Sequence, residues 1–95
     1  MIIVPQPISF QWDKGNSGKN VRKHGIHDME CEEVFFDPEK KLFEDIFHSG
    51  IEERYILLGS TKEGKVLFVV FTIRNNLVRV ISARKINKKE KKLYA

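Results

Sequence analysis

Six cations in this sequence, Lys23, Arg54, Arg74, Arg79, Arg84 and Lys85, together with the rings of His24, Tyr55 and Tyr94, are of the types that handle a polyanion. A guanidinium grips a phosphate with two parallel N–H donors, and aromatic faces stack on unpaired bases, so the set suits a single-stranded nucleic acid. The same residue types can also cut RNA without a metal. The ribose 2′-OH attacks the adjacent phosphorus, a neighbouring group takes its proton, and arginines hold the extra negative charge of the transition state. Binding and cutting draw on the same side chains, and residue types alone leave both open. His24 is the proton-exchanging type in the set, and it serves equally well as a helix-end residue that offsets the dipole.

Other chemistries find little support. His24, His27, Cys31 and His48 match none of the usual zinc spacings. Neither a glycine-rich phosphate loop nor a G-x-S-x-G turn occurs. Cys31 falls on the apolar stripe of its segment and reads as a buried structural thiol rather than a nucleophile. No metal or other cofactor is expected.

The stretch that must position the arginines is KVLFVVFTIRNNLVRVISARK, residues 65–85. Residues 66–73 are almost unbroken apolar and rich in Val, Phe and Ile, the pattern of a strand covered on both faces in the middle of a sheet. Asn75-Asn76 suits a two-residue hairpin, because Asn tolerates positive φ. A loop of that length pairs Arg74 with Leu77, Ile73 with Val78, Thr72 with Arg79 and Phe71 with Val80. Arg74, Thr72 and Arg79 then share one face, while parity sends Arg84 to the other unless the strand has ended. An even-numbered loop before this strand places Tyr55 with Thr72, Arg74 and Arg79, and Arg54 on the opposite face.

Ahead of the hairpin, Ile8 to Trp12 alternates like a first strand. Asp13 is placed to cap a short helix that Gly25 closes. That helix is very polar, with Asn16, Asn20 and His24 at i, i+4, i+8, and reads either as a solvated face or as a phosphate-contacting ridge. Asp28 can cap a second helix through Phe36, with Cys31, Val34 and Phe35 inward, stopped by Asp37-Pro38. Lys41 to Asp45 reads as a short strand, 47–52 as a loop and Arg54 to Gly59 as a strand. A turn near Lys62-Glu63-Gly64 leads back to the central strand. Asn87 and Glu90 make an N-x-x-E capping box for a last helix anchored only by Leu93 and Tyr94. The expected fold is one α+β domain: an antiparallel sheet centred on 65–85, two N-terminal helices on one side and a short C-terminal helix.

Composition bounds the rest. The 95 residues suit a single domain, and the one cysteine forbids an internal disulfide, which fits a reducing cytoplasm. The start, MIIVPQPISF, lacks the basic region of a signal peptide, and no apolar run approaches the roughly 20 residues of a membrane span. The net charge of +4 is unevenly distributed. Between Asp28 and Glu53 carboxylates dominate, with Lys40 and Lys41 the two cations, whereas from Arg74 onward Glu90 is the one carboxylate among lysines and arginines. Such a division suggests a polyanion-binding side and an acidic side that faces solvent or a partner.

F-Q-W-D (10–13), N-x-x-K-H-G (20–25), VFFDP (34–38), E-R-Y-x-x-x-G (53–59), T-x-R (72–74), R-x-I-S-A-R-K (79–85) and E-x-x-x-Y (90–94) occur in that order. This ordered series resembles the BrnT toxin family over nearly the whole chain, residues 1–7 forming an N-terminal extension. The resemblance implies a RelE-like fold and a ribonuclease that stops growth by cutting RNA. It also implies neutralisation by a cognate BrnA-type antitoxin, through which alone the complex would touch DNA. Arg54, Arg79 and Arg84 are the expected catalytic or transition-state-binding positions. Lys23, His24, Arg74, Lys85 and Tyr94 are expected to contact phosphate or base, and Tyr55 to stack. Two other functions compete: a nucleic-acid-binding module without cleavage, and a structural subunit joined through its acidic side.

Overall fold

A computed structural model describes residues 4–46, 50 and 52–95. The elements run α1 (Lys19–His24), α2 (Asp28–Glu33) with a 3₁₀ turn at Val34–Phe36, β1 (Lys41–Glu44), β2 (Tyr55–Ser60), β3 (Val66–Arg74), β4 (Leu77–Lys85) and α3 (Lys88–Tyr94). The four strands form one antiparallel sheet in sequence order. The expected α+β class and the central place of β3 hold. The loop read at 47–52 lies largely outside the described residues.

The β3–β4 hairpin follows the expected register from Arg74↔Leu77 to Phe71↔Val80, with Asn75 and Asn76 at φ 51° and 63°. Beyond Val80 the register shifts. Val70 pairs with Ser82, leaving Ile81 as an extra residue in β4, a β-bulge. Parity along β4 therefore reverses once. Phe68 and Thr72 share a face of β3, and they pair with Arg84 and Arg79. Arg84 thus emerges on the face of Arg79, not on the opposite one.

The other face carries the core, where Leu57, Leu67, Val69, Phe71, Val78, Val80 and Ala83 pack with Cys31, Val34, Phe35 and Ile26. Phe35 meets Phe10 and Phe71 edge-on at 5.2 and 4.9 Å between ring centres. Val4 also joins this core, so the N-terminal extension contributes packing. Phe68 and Val70, across β3, are only half-buried, so the central strand is not sealed on both faces as its apolar run suggested. Its side chains pack against one another across the strands instead.

The second helix buries Cys31, Val34 and Phe35 as expected, its last turn tightened to 3₁₀. Burial pushes the Cys31 thiol up to about 12. Asp28 does not cap this helix. Its carboxylate accepts from Ser17 Oγ and the Gly18 amide, closing the start of α1 instead. Asp13 lies well before α1, which begins only after Gly18 turns left-handed at φ 70°. Gly25 ends it as expected, at φ 71°.

The polar α1 runs along the outer edge of β4. Asn20 Oδ1 accepts from the Ala83 amide (3.0 Å), Asn16 Nδ2 donates to the Val80 carbonyl (3.1 Å) and Lys19 Nζ to the Ile81 carbonyl (2.9 Å). Residues 9–11 pair with Val78 through a single parallel bridge rather than a full strand. Together these groups satisfy an edge that would otherwise template aggregation. α1 is therefore neither a free solvated face nor packed flat on the sheet with α2.

At the C-terminus the capping box forms: Glu90 N donates to Asn87 Oδ1, and Asn87 N to Glu90 Oε1, both at 2.9 Å. Leu93 stays exposed, and Tyr94 anchors the helix by donating its hydroxyl to Asp37 (2.6 Å). Replacing Asn20 by Ala should leave a buried Ala83 amide unpaired. It should cost about 1–3 kcal/mol in chemical denaturation, whereas Lys23→Ala on the exposed side of the helix should change stability little.

Candidate ribonuclease site

Arg54, Arg74 and Arg79 line one cleft of about 180 Å³, with Lys19, Glu52, Gly15 and Asn16 completing the wall. The β3–β4 hairpin supplies two of the arginines, and the segment leading into β2 supplies the third. Arg74 is the last residue of β3, and Arg79 sits across from Thr72 on β4. Arg54 precedes β2, and its placement corrects the expected face. Ser60 pairs with Val66, so five residues, 61–65, link the strands, and an odd loop reverses the parity. Tyr55 accordingly pairs with Phe71 and turns to the core, its ring 5.5 Å from that of Phe71. Its hydroxyl donates to Glu53, which holds the phenol above its usual range.

Arg79 is more confined than Arg74. Its guanidinium grips Asp13 through two parallel bonds of 2.8 and 3.0 Å and also reaches Gln11 Oε1 (3.3 Å). The side chain is only 14% exposed. A Cβ at Gly15 would come within 2.8 Å of Arg79 Nη2, so a larger residue there would push the guanidinium aside. Asn16 fastens that turn to β4, and its Oδ1 accepts from the Asp13 amide (2.8 Å). Arg79, followed by the Gly15 amide, holds the Asp13 carboxyl below its usual range.

Arg74 makes the equivalent two-pronged pair with Glu52, through Nε to Oε2 and Nη2 to Oε1. Glu52 is held below the usual carboxylate range by Arg74 first, with Arg54 and Arg79 adding to the field. The acidic and basic halves of the sequence are therefore not separated in space, because Glu52, from the acidic stretch, stands among the arginines.

Arg84 lies outside the cleft. Four residues of β3 separate its partner Phe68 from Thr72, which puts it roughly 13 Å from Arg79. It rests over the Phe68 ring at 4.2 Å and pairs with Glu90 through bonds of 2.8 and 2.7 Å. Glu90 thus closes the cap of α3 and binds Arg84 with one carboxylate, and Arg84 keeps it deprotonated to lower pH than usual.

The remaining expected contacts do not gather here. Lys23 and His24 are exposed on the last turn of α1 and do not line the cleft; Lys19, one turn earlier, does. Lys85 pairs with Leu67, which turns it to the face opposite Arg84. The Tyr94 hydroxyl is engaged by Asp37, and this pushes the phenol up to about 12. Burial raises the Asp37 carboxyl, but the Tyr94 hydroxyl and the Ser60 and Glu39 amides outweigh it, and the net direction is down. Asp13 was expected only to cap a helix, and Gly15, Lys19 and Glu52 were not placed at a site from the sequence. Asp13 and Gly15 lie one and three residues past Trp12, but nothing in their spacing points to an arginine more than sixty residues away.

Residues 12–90 match the family model for BrnT, the ribonuclease toxin of type II toxin–antitoxin systems. The chain belongs to the BrnT family. Membership carries a ribonuclease activity, an RNA target and an antitoxin partner at the level of the family. No curated protein gives a significant match. Among the described residues no helix of this BrnT chain is long and apolar enough to cross a membrane.

Asp13, Glu52 and Glu90 all have lowered pKa values through arginine pairing. The stability these pairs contribute is present above the ordinary carboxylate range and is lost as pH falls through the lower folded values. The urea midpoint should therefore drop as pH is taken below about 4. Glu90→Gln should flatten that drop if Arg84–Glu90 supports α3 as described.

Proposed function

We propose that this chain is a metal-independent endoribonuclease with a RelE-like fold, whose growth-inhibiting activity is neutralised by a cognate BrnA-type antitoxin. The observation that carries the reading is the convergence of Arg54, Arg74, Arg79 and Lys19 on one cleft. Asp13 and Glu52 pair with Arg79 and Arg74, and with Lys19 and Arg54 on the same wall the cleft presents several cationic donors to a phosphodiester.

In this proposal the 2′-OH attacks the neighbouring phosphorus and displaces the 5′-oxygen of the next nucleotide. The products are a 2′,3′-cyclic phosphate and a 5′-OH. Charge builds on the non-bridging oxygens as the phosphorus becomes five-coordinate. Arg79, fixed by Asp13, and Arg54 are the groups proposed to meet it, since a preset guanidinium needs little reorganisation. Arg74 is proposed to hold a phosphate. Arg84 stands too far along the sheet to reach the same phosphorus, so its proposed role is to hold a flanking part of the strand. His24 and Lys23 are proposed to meet RNA outside the cleft, as are Lys85 and Tyr94 at the far end of the sheet. For Tyr55, turned to the core, stacking on a base is not retained.

The test is cleavage of a defined RNA by rigorously purified protein in excess EDTA. Full activity with chelator is expected, with Arg79→Ala slower by about 100-fold or more and Arg84→Ala losing mainly affinity and salt dependence. Activity abolished by EDTA would remove metal independence, and an absence of product from pure, folded protein would remove the nuclease reading. In cells, expression of this chain alone should slow growth, and co-expression of the BrnA-type partner should relieve it.

A further inference from the structure

The two arginine–carboxylate pairs of the cleft are not equivalent. Asp13 belongs to a turn bolted to β4 by Asn16, accepts from the Gly15 amide as well as from Arg79, and holds a guanidinium that is largely buried. Glu52 is held differently. Its hydrogen bonds among the described residues both go to Arg74, and the side chains of the pair are 35% and 48% exposed. An exposed pair of this kind is worth little, and a glutamate regains more side-chain freedom on release than an aspartate does. The backbone of Arg74 is fixed by the last rung of the hairpin.

We infer that the Glu52 carboxylate occupies an anion subsite built from Arg74 with Arg54 and Arg79 nearby, and that an RNA phosphodiester binds there by displacing it. This rests on the nuclease reading and deepens it by naming where a phosphate docks and what leaves. A carboxylate and a phosphodiester each offer two oxygens to the same guanidinium fork and carry one negative charge, so one can replace the other without a change in net charge. The three arginines that depress the Glu52 carboxyl are the ones a phosphate at this position would face. Asp13 stays bound throughout and keeps Arg79 aimed.

Binding of a fluorescent oligoribonucleotide with 2′-O-methyl sugars, which cannot be cleaved, tests the exchange, with inorganic phosphate as competitor. Glu52→Gln should bind the probe about fivefold more tightly than wild type, and phosphate should compete more effectively against it. In the Arg74→Ala background the Glu52→Gln gain should vanish. On cleavable RNA, KM should fall while kcat stays within about threefold. Unchanged or weaker binding by Glu52→Gln would overturn the inference, as would a gain that persists without Arg74. A collapse of kcat at unchanged KM would also overturn it, by placing Glu52 in the chemistry. The two readings fail separately. Wild type that cuts RNA while Glu52→Gln gains no affinity sinks the subsite alone. Protein that never cuts RNA, yet gains phosphate affinity on Glu52→Gln, sinks the nuclease and leaves the subsite standing.

Discussion

One residue of β4, Ile81, has no partner on β3, and the shape of the basic surface depends on that mismatch. In an uninterrupted ladder Arg79 and Arg84 would point to opposite faces, and Arg84 would be driven into the core. The extra residue reverses the alternation once, so Val78, Val80 and Ala83 can all be buried while both arginines leave on the other side. It also exposes carbonyls at the outer edge, where Asn16 reaches Val80 and Lys19 reaches Ile81. A bulge bends and twists its strand and leaves ladder groups to be satisfied otherwise. Here polar side chains of the N-terminal segment satisfy them.

That division of labour explains why α1 is so poor in apolar residues. The inward contacts of α1 and of the turn before it are amides and an ammonium meeting a strand's backbone, and Asn16 in the turn and Asn20 in the helix are almost completely buried in making them. Because the same segment carries Asp13, closing the β4 edge and aiming Arg79 become one structural event. The turn at 13–16 cannot be loosened without freeing the guanidinium, since Asn16 fastens the turn and Gly15 lies against Arg79. Stability and site geometry are coupled through four consecutive residues.

The hairpin, the stop of α2 and the cap of α3 were legible because each rests on local chemistry. Asn75-Asn76 needs positive φ, Asp37-Pro38 stops a helix, and Asn87 with Glu90 closes a cap. The convergence of Arg54, Arg74 and Arg79 was legible only in part. Arg74 and Arg79 followed from the two-residue loop, but Arg54 and Tyr55 were exchanged because the 61–65 connection is odd, and nothing in TKEGK fixes its length to within one residue. The bulge at Ile81 was illegible for a related reason. V-I-S-A alternates neither cleanly nor wrongly, and the bonds that Asn16 and Lys19 make beside the extra residue come from far along the chain. Asp13 was read as a helix cap and Glu52 was passed over, because an ion pair across sixty or twenty residues leaves no mark on spacing.

These carboxylates change how an arginine-rich surface is to be understood. Three arginines converging on a small cleft repel one another, and from charge alone an empty site would be expected to need an external anion to settle. The chain supplies its own. Asp13 and Glu52 neutralise Arg79 and Arg74 within the fold, and Glu90 does the same for Arg84 at the other end of the sheet. The arginines are therefore ordered before any ligand arrives, and ordering them is not left to the binding event. An internal carboxylate of modest strength serves this purpose better than a buried one. It sets the guanidinium geometry yet remains exchangeable for an oxyanion of matching shape, whereas a fully desolvated pair would bind its arginine too firmly to let a phosphate in.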